Sequence, residues 1–475
     1  MKRAFQKLSF IILLFPIANS EAIWITKIPF PSLIYQEDSL SNKSIKPLHP
    51  MAKYRDMIKG SANYISRINP QQLLNKNKII PEMGTISKRG QKVSLVAFGG
   101  GLTAGVSNGG LYREGQQFAY PNLVAIQMGI TDFEAPLFEE SESNGTGFLI
   151  YDDKNSELPR WKEVSNNIAA VQSGIPPKFT PYQGKVNNWA YPNGGASSAG
   201  HTHRIDERSL PLWFEFHPYL WRFLPEKENE QISAIDFVKK NQPYDLVFIE
   251  DFFDNWIRLL QNTPNINLYD FYQSQLSIGH IENAAIYQLT SDSKKAVLFT
   301  VPRYQTLPYF NWYKTDAANE NVKIFVANYK SNLVEDTTRP KYFLPSENVD
   351  KFFQGEAVLL TDQDVITEFE EKLSDPEWKH GHNIQLREMA AKNNFAIVDL
   401  AKLYSDIHKG AFVTDDGLQI DGSRKGNFFS SDGIYPSPLG QAVIANEVIK
   451  AINKAYGSRI PLIITKDISS AMNLK

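Results

Sequence analysis

The stretch VSLVAFGGGLTAGVSNGG, Val93 to Gly110, decides how this chain is read. Its first half is a short, unbroken apolar run of the kind that makes a strand buried on both faces. Its second half is rich in glycine, and a glycine turn at the carboxyl end of a strand is where enzymes place a nucleophile or cradle a phosphate. Gly99, Gly101 and Ala104 fit the dinucleotide pattern G-x-G-x-x-A. VSNGG cuts short any helix that follows, however, and no acidic residue closes a second strand about 20 residues later, where a ribose would need one. Neither a nucleotide nor any other cofactor is expected.

Outward from this stretch, strand and helix signals alternate. YPNLVAIQMG reads as a helix closed by Gly129, and YDLVFIE as a second strand. IENAAIYQLTSDSKKAVLFTVP gives a helix followed by a third strand, and GHNIQLREMAAKNNFAIVDL repeats that order. SPLGQAVIANEVIKAINKAYG is a closing amphipathic helix, with Ala442, Ile444, Ala445, Val448, Ile449 and Ile452 at three- and four-residue spacing. This alternation predicts an α/β fold with a central parallel sheet covered on both faces. Ligands in such sheets bind beyond the carboxyl ends of the strands, so the glycine turn and the end of YDLVFIE are expected to line one cleft.

The remaining segments are less regular. Residues 23–91 are polar and broken by prolines, and read as an extension wrapping the core. The core spans 92–461, with a loop-rich insertion at about 139–224 placed to roof the cleft, and 462–475 read as a tail. The start, MKRAFQKLSFIILLFPIANSEA, has the basic, apolar and small-residue order of a secretory signal over residues 1–22, cut after Ser20 or Ala22. Its apolar run is far short of the ~20 residues that span a bilayer. The product is expected to be exported, to the periplasm, the outer-membrane periphery or beyond, with no transmembrane segment in the mature chain.

Composition removes several classes of function. With 50 basic and 52 acidic residues, the formal net charge of -2 gives no field to draw nucleic acid. The absence of cysteine excludes disulfides, thiolate metal sites and a cysteine nucleophile.

Five segments, matching in order along the chain, carry a resemblance. VAFGGGLTAG resembles the first block of the SGNH (GDSL-type) hydrolases, F-G-D-S-L-T-x-G. FSSDGIYPSPLGQAVIANEVIKAIN resembles their last, D-G-x-H-P-x-x-x-G. GGLYREGQQFAYPNLVAIQMG, SNGTGFLIYDD and NNWAYPNG look like segments of a bacterial exported branch. The resemblance implies a flavodoxin-like three-layer sandwich and ester hydrolysis by a serine, a histidine and an acid. It fails at the chemistry. Gly100 and Gly101 stand where the family has Asp and the nucleophilic Ser, and Tyr435 where it has the base His; the acid position, Asp432, is kept. The third block, G-x-N-D, falls on EDFFDN, so the oxyanion Asn is matched by Phe252, or by Phe253 if the register slips. The block-two Gly falls on Asn193 or Gly194.

Acyl transfer needs a hydroxyl, an imidazole to take its proton, and donors for the oxyanion. Gly101 supplies no nucleophile, and Tyr435, with an ordinary pKa near 10, is a donor rather than a base at neutral pH. Thr103, Ser107, Ser430 and Ser431 are nearby hydroxyls, but no histidine follows His408 to serve them. His201 with His203, and His380 with His382, have a zinc-compatible spacing but read as loop histidines, so no metal is expected. Glu250, Asp251 and Asp254 offer paired carboxylates, though the run EDFFDN reads first as an aromatic-lined cleft. Asn144-Gly145 reads as a turn.

The expectation is therefore a pseudo-hydrolase whose vestigial cleft is formed by Gly99, Gly100, Gly101, Asn193 or Gly194, Phe252, Phe253, Asp432 and Tyr435, with the Tyr435 hydroxyl donating to Asp432. It would hold an acyl, lipid or glycan ligand, or be plugged and leave the surface to an envelope protein partner. The alternative is an active esterase or lipase with displaced catalytic residues.

Overall fold

Four short apolar segments, Leu95–Phe98, Leu246–Ile249, Lys295–Phe299 and Ala396–Val398, form the central strands. The computed structural model describes residues 57–65, 68–74, 80–87, 91–152, 160–172, 178–192, 194, 218–223, 233–254, 256–257, 285–291, 295–313, 324–327, 333–336, 340–361, 364–367, 375–377 and 381–472. All of these lie in one compact unit, Ser41–Lys475. The signal-sequence expectation for residues 1–22 falls outside the described residues.

The four strands make one parallel sheet, in the spatial order Ala396–Val398, Lys295–Phe299, Leu246–Ile249, Leu95–Phe98. Phe98 pairs with Ile249, Ile249 with Leu298, and Val398 with Phe299. All carboxyl ends therefore share one edge of the sheet, which puts Gly99 beside Glu250. Every residue of the Leu95–Phe98 and Leu246–Ile249 strands is buried. This is why both read as continuous apolar runs instead of alternating ones; each large side chain contributes about 1.5–3 kcal/mol by leaving water.

The closing helix is Pro438–Tyr456. Ser437 caps it by accepting from the Gly440 N–H, proline takes its first position, and Gly457 ends it at φ +64°, a left-handed conformation that glycine adopts without strain. It packs on the Tyr120–Gln127 helix and on the Ala396–Val398 strand. The His382–Asn393 helix packs on the Lys295–Phe299 and Ala396–Val398 strands. This much is an α/β fold built on a parallel sheet with helices packed against it.

Three features go beyond what the sequence reading described. Within the extension, Ile58–Ala62 is a strand that pairs in parallel with Trp161–Val164, which pairs antiparallel with Phe148–Tyr151. The extension and the insertion thus build one sheet together. The insertion also covers the free edge of the central sheet, where Ala97 donates to the Asn187 carbonyl and accepts from the Trp189 N–H. Within the tail, Thr465–Ala471 is a helix packed on the closing helix, with Ile468 fully buried. Short strands completed by partners about a hundred residues away leave little local periodicity to read.

Candidate functional site

The turn after Leu95–Phe98 leads into a helix of only four residues, Gly101–Ala104, ended by Gly105 at φ +87°. Such a turn presents backbone N–H groups that need acceptors. Two carboxylates from the neighbouring strand end supply them. The Gly100 N–H donates to Glu250 Oε2 at 2.8 Å, and the Gly101 N–H to Asp254 Oδ2 at 2.6 Å. Glu250 also accepts from the Thr103 hydroxyl at 3.0 Å and from the Phe253 N–H at 3.3 Å. The other Asp254 oxygen, Oδ1, accepts from the Tyr435 hydroxyl at 2.8 Å.

That last contact corrects the expected Tyr435–Asp432 pairing. Asp432 Oδ1 accepts from the N–H groups of Ile434 and Tyr435 at 2.7 and 2.8 Å, and Oδ2 from Gly109 at 2.5 Å. Asp432 thus holds the backbone of its own loop and ties it to Gly109, while the Tyr435 hydroxyl donates to Asp254.

Of the expected cleft residues, Gly100 lies against Gly194, Gly101 against Tyr435 and Phe253 against the Tyr435 ring, while Asp432 holds Gly109 and its own loop and Phe252 packs on His382 and Trp256. Gly99, Gly100, Gly101, Gly194, Phe252, Phe253, Asp432 and Tyr435 are all buried. Asn193 lies outside the described residues, but the Gly194 carbonyl lies against the turn, 2.9 Å from where a Cβ on Gly100 would sit. The space at Gly101 is filled: a Cβ there would meet Val106 Cγ2 at 2.8 Å and the Tyr435 hydroxyl at 2.9 Å. Phe253 packs on the Tyr435 ring, with centroids 5.7 Å apart. Phe252 holds φ +81°, a conformation that bulky residues rarely adopt. Its ring packs on His382 at 4.8 Å and on Trp256 at 5.5 Å, contacts that help offset the strain.

The candidate substitute hydroxyls are all engaged in structure. Thr103 donates to Glu250 and lies 2.9 Å from the Tyr120 hydroxyl. Ser107 donates to the Pro436 carbonyl, Ser430 accepts from the Asn108 N–H, and Ser431 donates to the Leu149 carbonyl. Of the described histidines, His382 lies on Phe252 and His408 ends the Leu400–His408 helix. His201, His203 and His380 are outside the described residues. Among those described, no group of three or more His, Asp or Glu is gathered as metal ligands would be. Asn144-Gly145 is a turn, with Gly145 at φ +50° and the buried Asn144 amide donating to the Asn166 carbonyl at 2.8 Å.

What the site does have is an excess of buried acid. Burial and the neighbouring Asp254 push the Glu250 carboxyl up to about 7, against donors that pull it down. Burial likewise raises Asp432, and burial with Asp254 beside it holds the Tyr435 phenol well above its ordinary range. Tyr435 is thus a neutral donor. The paired carboxylates were visible as EDFFDN; that they close the glycine turn follows from strand order, because Leu246–Ile249 lies directly beside Leu95–Phe98.

A pH dependence follows with a definite sign. Between about 4.5, where Glu250 titrates in the unfolded chain, and about 7, the folded protein holds a proton that the unfolded chain has released. Stability therefore falls as pH rises through that window, by roughly 3 kcal/mol from this group, and then levels off. Denaturant unfolding of wild type and Glu250→Gln at pH 5, 6, 7 and 8 checks this. The variant should show a flatter profile; equal slopes would remove Glu250 as the cause.

No protein-family model matches the chain, and no curated protein matches it.

Proposed function

We propose that this protein is an exported, SGNH-like pseudo-hydrolase that keeps the three-layer scaffold and uses the site as a structural core, leaving its surface for recognition in the envelope. The observation that carries this reading is the internal closure of the glycine turn. Where an acyl enzyme needs a hydroxyl, Tyr435 and Val106 occupy the space. Where it needs N–H donors free for an oxyanion, Asp254 already holds the Gly101 N–H and Glu250 the Gly100 N–H. A carboxylate bonded to both the turn N–H and the tyrosine hydroxyl mimics the charge that a tetrahedral intermediate would place there, so the site is satisfied without substrate. The order of the five resembling segments along the chain supports the family; the parallel sheet with the turn at its carboxyl edge is compatible with it.

Loss of nucleophile and base together costs on the order of 10⁴- to 10⁶-fold in turnover. Purified mature protein is expected to hydrolyse short-chain p-nitrophenyl esters no faster than an unrelated protein, and to take no label from a fluorophosphonate probe. A stoichiometric adduct read by mass spectrometry would establish the rival reading, an active esterase with displaced residues.

A further inference from the structure

We infer that Glu250, Asp254 and Tyr435 form a proton-operated latch on the glycine turn, locked while the acid pair holds one proton and released locally when that proton is lost to water. The inference goes beyond the pseudo-hydrolase reading and does not depend on it, since it rests on the hydrogen bonds that close the turn. The N–H groups of two successive residues are held by two different carboxylates, Gly100 by Glu250 and Gly101 by Asp254. Both acids follow the Leu246–Ile249 strand within five residues, so a shift of that one segment frees both donors together. Tyr435 fastens the segment from its far side: its hydroxyl donates to Asp254 and its ring packs on Phe253.

The closed geometry suits one negative charge and not two. A Cβ on Gly99 would lie 2.8 Å from Glu250 Oε2, and one on Gly100 would lie 2.8 Å from Asp254 Cγ, so the carboxylates sit directly on the turn with no room for water between. Glu250 and Asp254 are 1% and 3% exposed, which keeps bulk solvent from hydrating a second charge. Facing Glu250 are Asp254, Tyr120 of the Tyr120–Gln127 helix, Tyr404 of the Leu400–His408 helix, and Tyr435. Asp251 is next to Glu250 in the chain, and Asp432 faces Tyr404 and Tyr435 from behind. Burial and these acids hold all three phenols well above their ordinary range, so they stay neutral. None of the groups named brings a positive charge to offset a second carboxylate.

Backbone strain acts in the same direction. Phe252 lies between the two acids at φ +81°, and release of the segment lets it return to a negative φ. With Glu250 neutral, the five hydrogen bonds from Gly100, Thr103, Phe253, Gly101 and Tyr435 outweigh that strain. Once Glu250 ionises beside Asp254, repulsion and strain add. The release stays local because the Leu95–Phe98 and Leu246–Ile249 strands are joined by their own ladder, which no titratable group takes part in.

Native-state hydrogen exchange of the purified protein in low denaturant tests the latch, read by mass spectrometry on peptides covering residues 99–106 and 246–249 and corrected for the intrinsic effect of pH on exchange. The turn amides should exchange through an opening that denaturant barely changes, and the strand amides through the denaturant-sensitive unfolding of the whole protein. Opening of the turn should rise about tenfold between pH 6 and pH 8 and then level off, as linkage requires for a carboxyl at about 7 when closed and 4.5 when open. Glu250→Gln, neutral at every pH, should abolish that rise. Asp254→Asn removes the neighbouring charge and keeps an oxygen for the Tyr435 hydroxyl, and should move the rise to lower pH. Turn amides that exchange only together with the strands, a rise that persists in Glu250→Gln, or one that Asp254→Asn leaves in place overturns the latch. The wild-type comparison decides even where a variant fails to fold. Ester hydrolysis plays no part in the readout, so failure here leaves the pseudo-hydrolase reading standing, and the reverse.

Discussion

Asp432→Ala is expected to destabilise the protein by about 3–5 kcal/mol, the largest effect of any single substitution at the site. Asp432 is fully buried and accepts three backbone N–H groups, from Gly109, Ile434 and Tyr435. Alanine would leave all three donors in the interior without an acceptor, and each such loss costs about 1–3 kcal/mol. Asp432→Asn should fall between wild type and alanine. Its remaining oxygen can serve Ile434 and Tyr435, but its amide would set N–H against the Gly109 N–H. Denaturant midpoints at fixed pH measure both. If alanine costs under about 1 kcal/mol, the loop is held by packing and the acid is dispensable. The expected result would mean that Asp432 serves to organise the backbone of its own loop and to tie it to Gly109.

The second large effect concerns Gly101→Ser, the change that would rewrite the turn toward a hydrolase. It is expected to cost about 2–3 kcal/mol and to yield no activity. The added Cβ would lie 2.8 Å from Val106 Cγ2, 2.9 Å from the Tyr435 hydroxyl and 3.0 Å from its ring. All of these are buried, so the neighbours must shift to make room. Adding Tyr435→His removes part of the clash and supplies an imidazole, and should recover some stability. It leaves Val106 in place and Asp254 on the Gly101 N–H, the donor an oxyanion would need. The double variant is therefore expected to remain at background in the ester assay. Turnover clearly above wild type would mean that the site opens in solution and that only two side chains separate it from catalysis.

Sequence patterning located most of the core because its signals are local. A run such as Leu95–Phe98 has no polar residue to offer water on either face, and Ser437-Pro438 with Gly457 mark the ends of the closing helix by their own conformational preferences. That Gly99 to Gly101 offer no side-chain hydroxyl was legible for the same reason: a glycine has no side chain wherever the fold puts it. The extension's strand escaped notice because Ile58–Ala62 is completed by a partner at Trp161–Val164, and five residues with one intermediate-to-exposed face carry no period of their own.

The sequence by itself thus determined the α/β alternation, a glycine turn with no side-chain hydroxyl at residues 99–101, and the acids and aromatics available near it. Only the tertiary structure decided who pairs with whom: that Tyr435 turns from Asp432 to Asp254, and that Glu250 and Asp254 take the N–H groups of Gly100 and Gly101. The physical reason is that a hydrogen bond between residues some 150 to 180 positions apart depends on strand order and on which acceptor still has a free lone pair. Neither is encoded in the neighbouring residues, and both are fixed only when the sheet is assembled and every buried donor must find an acceptor.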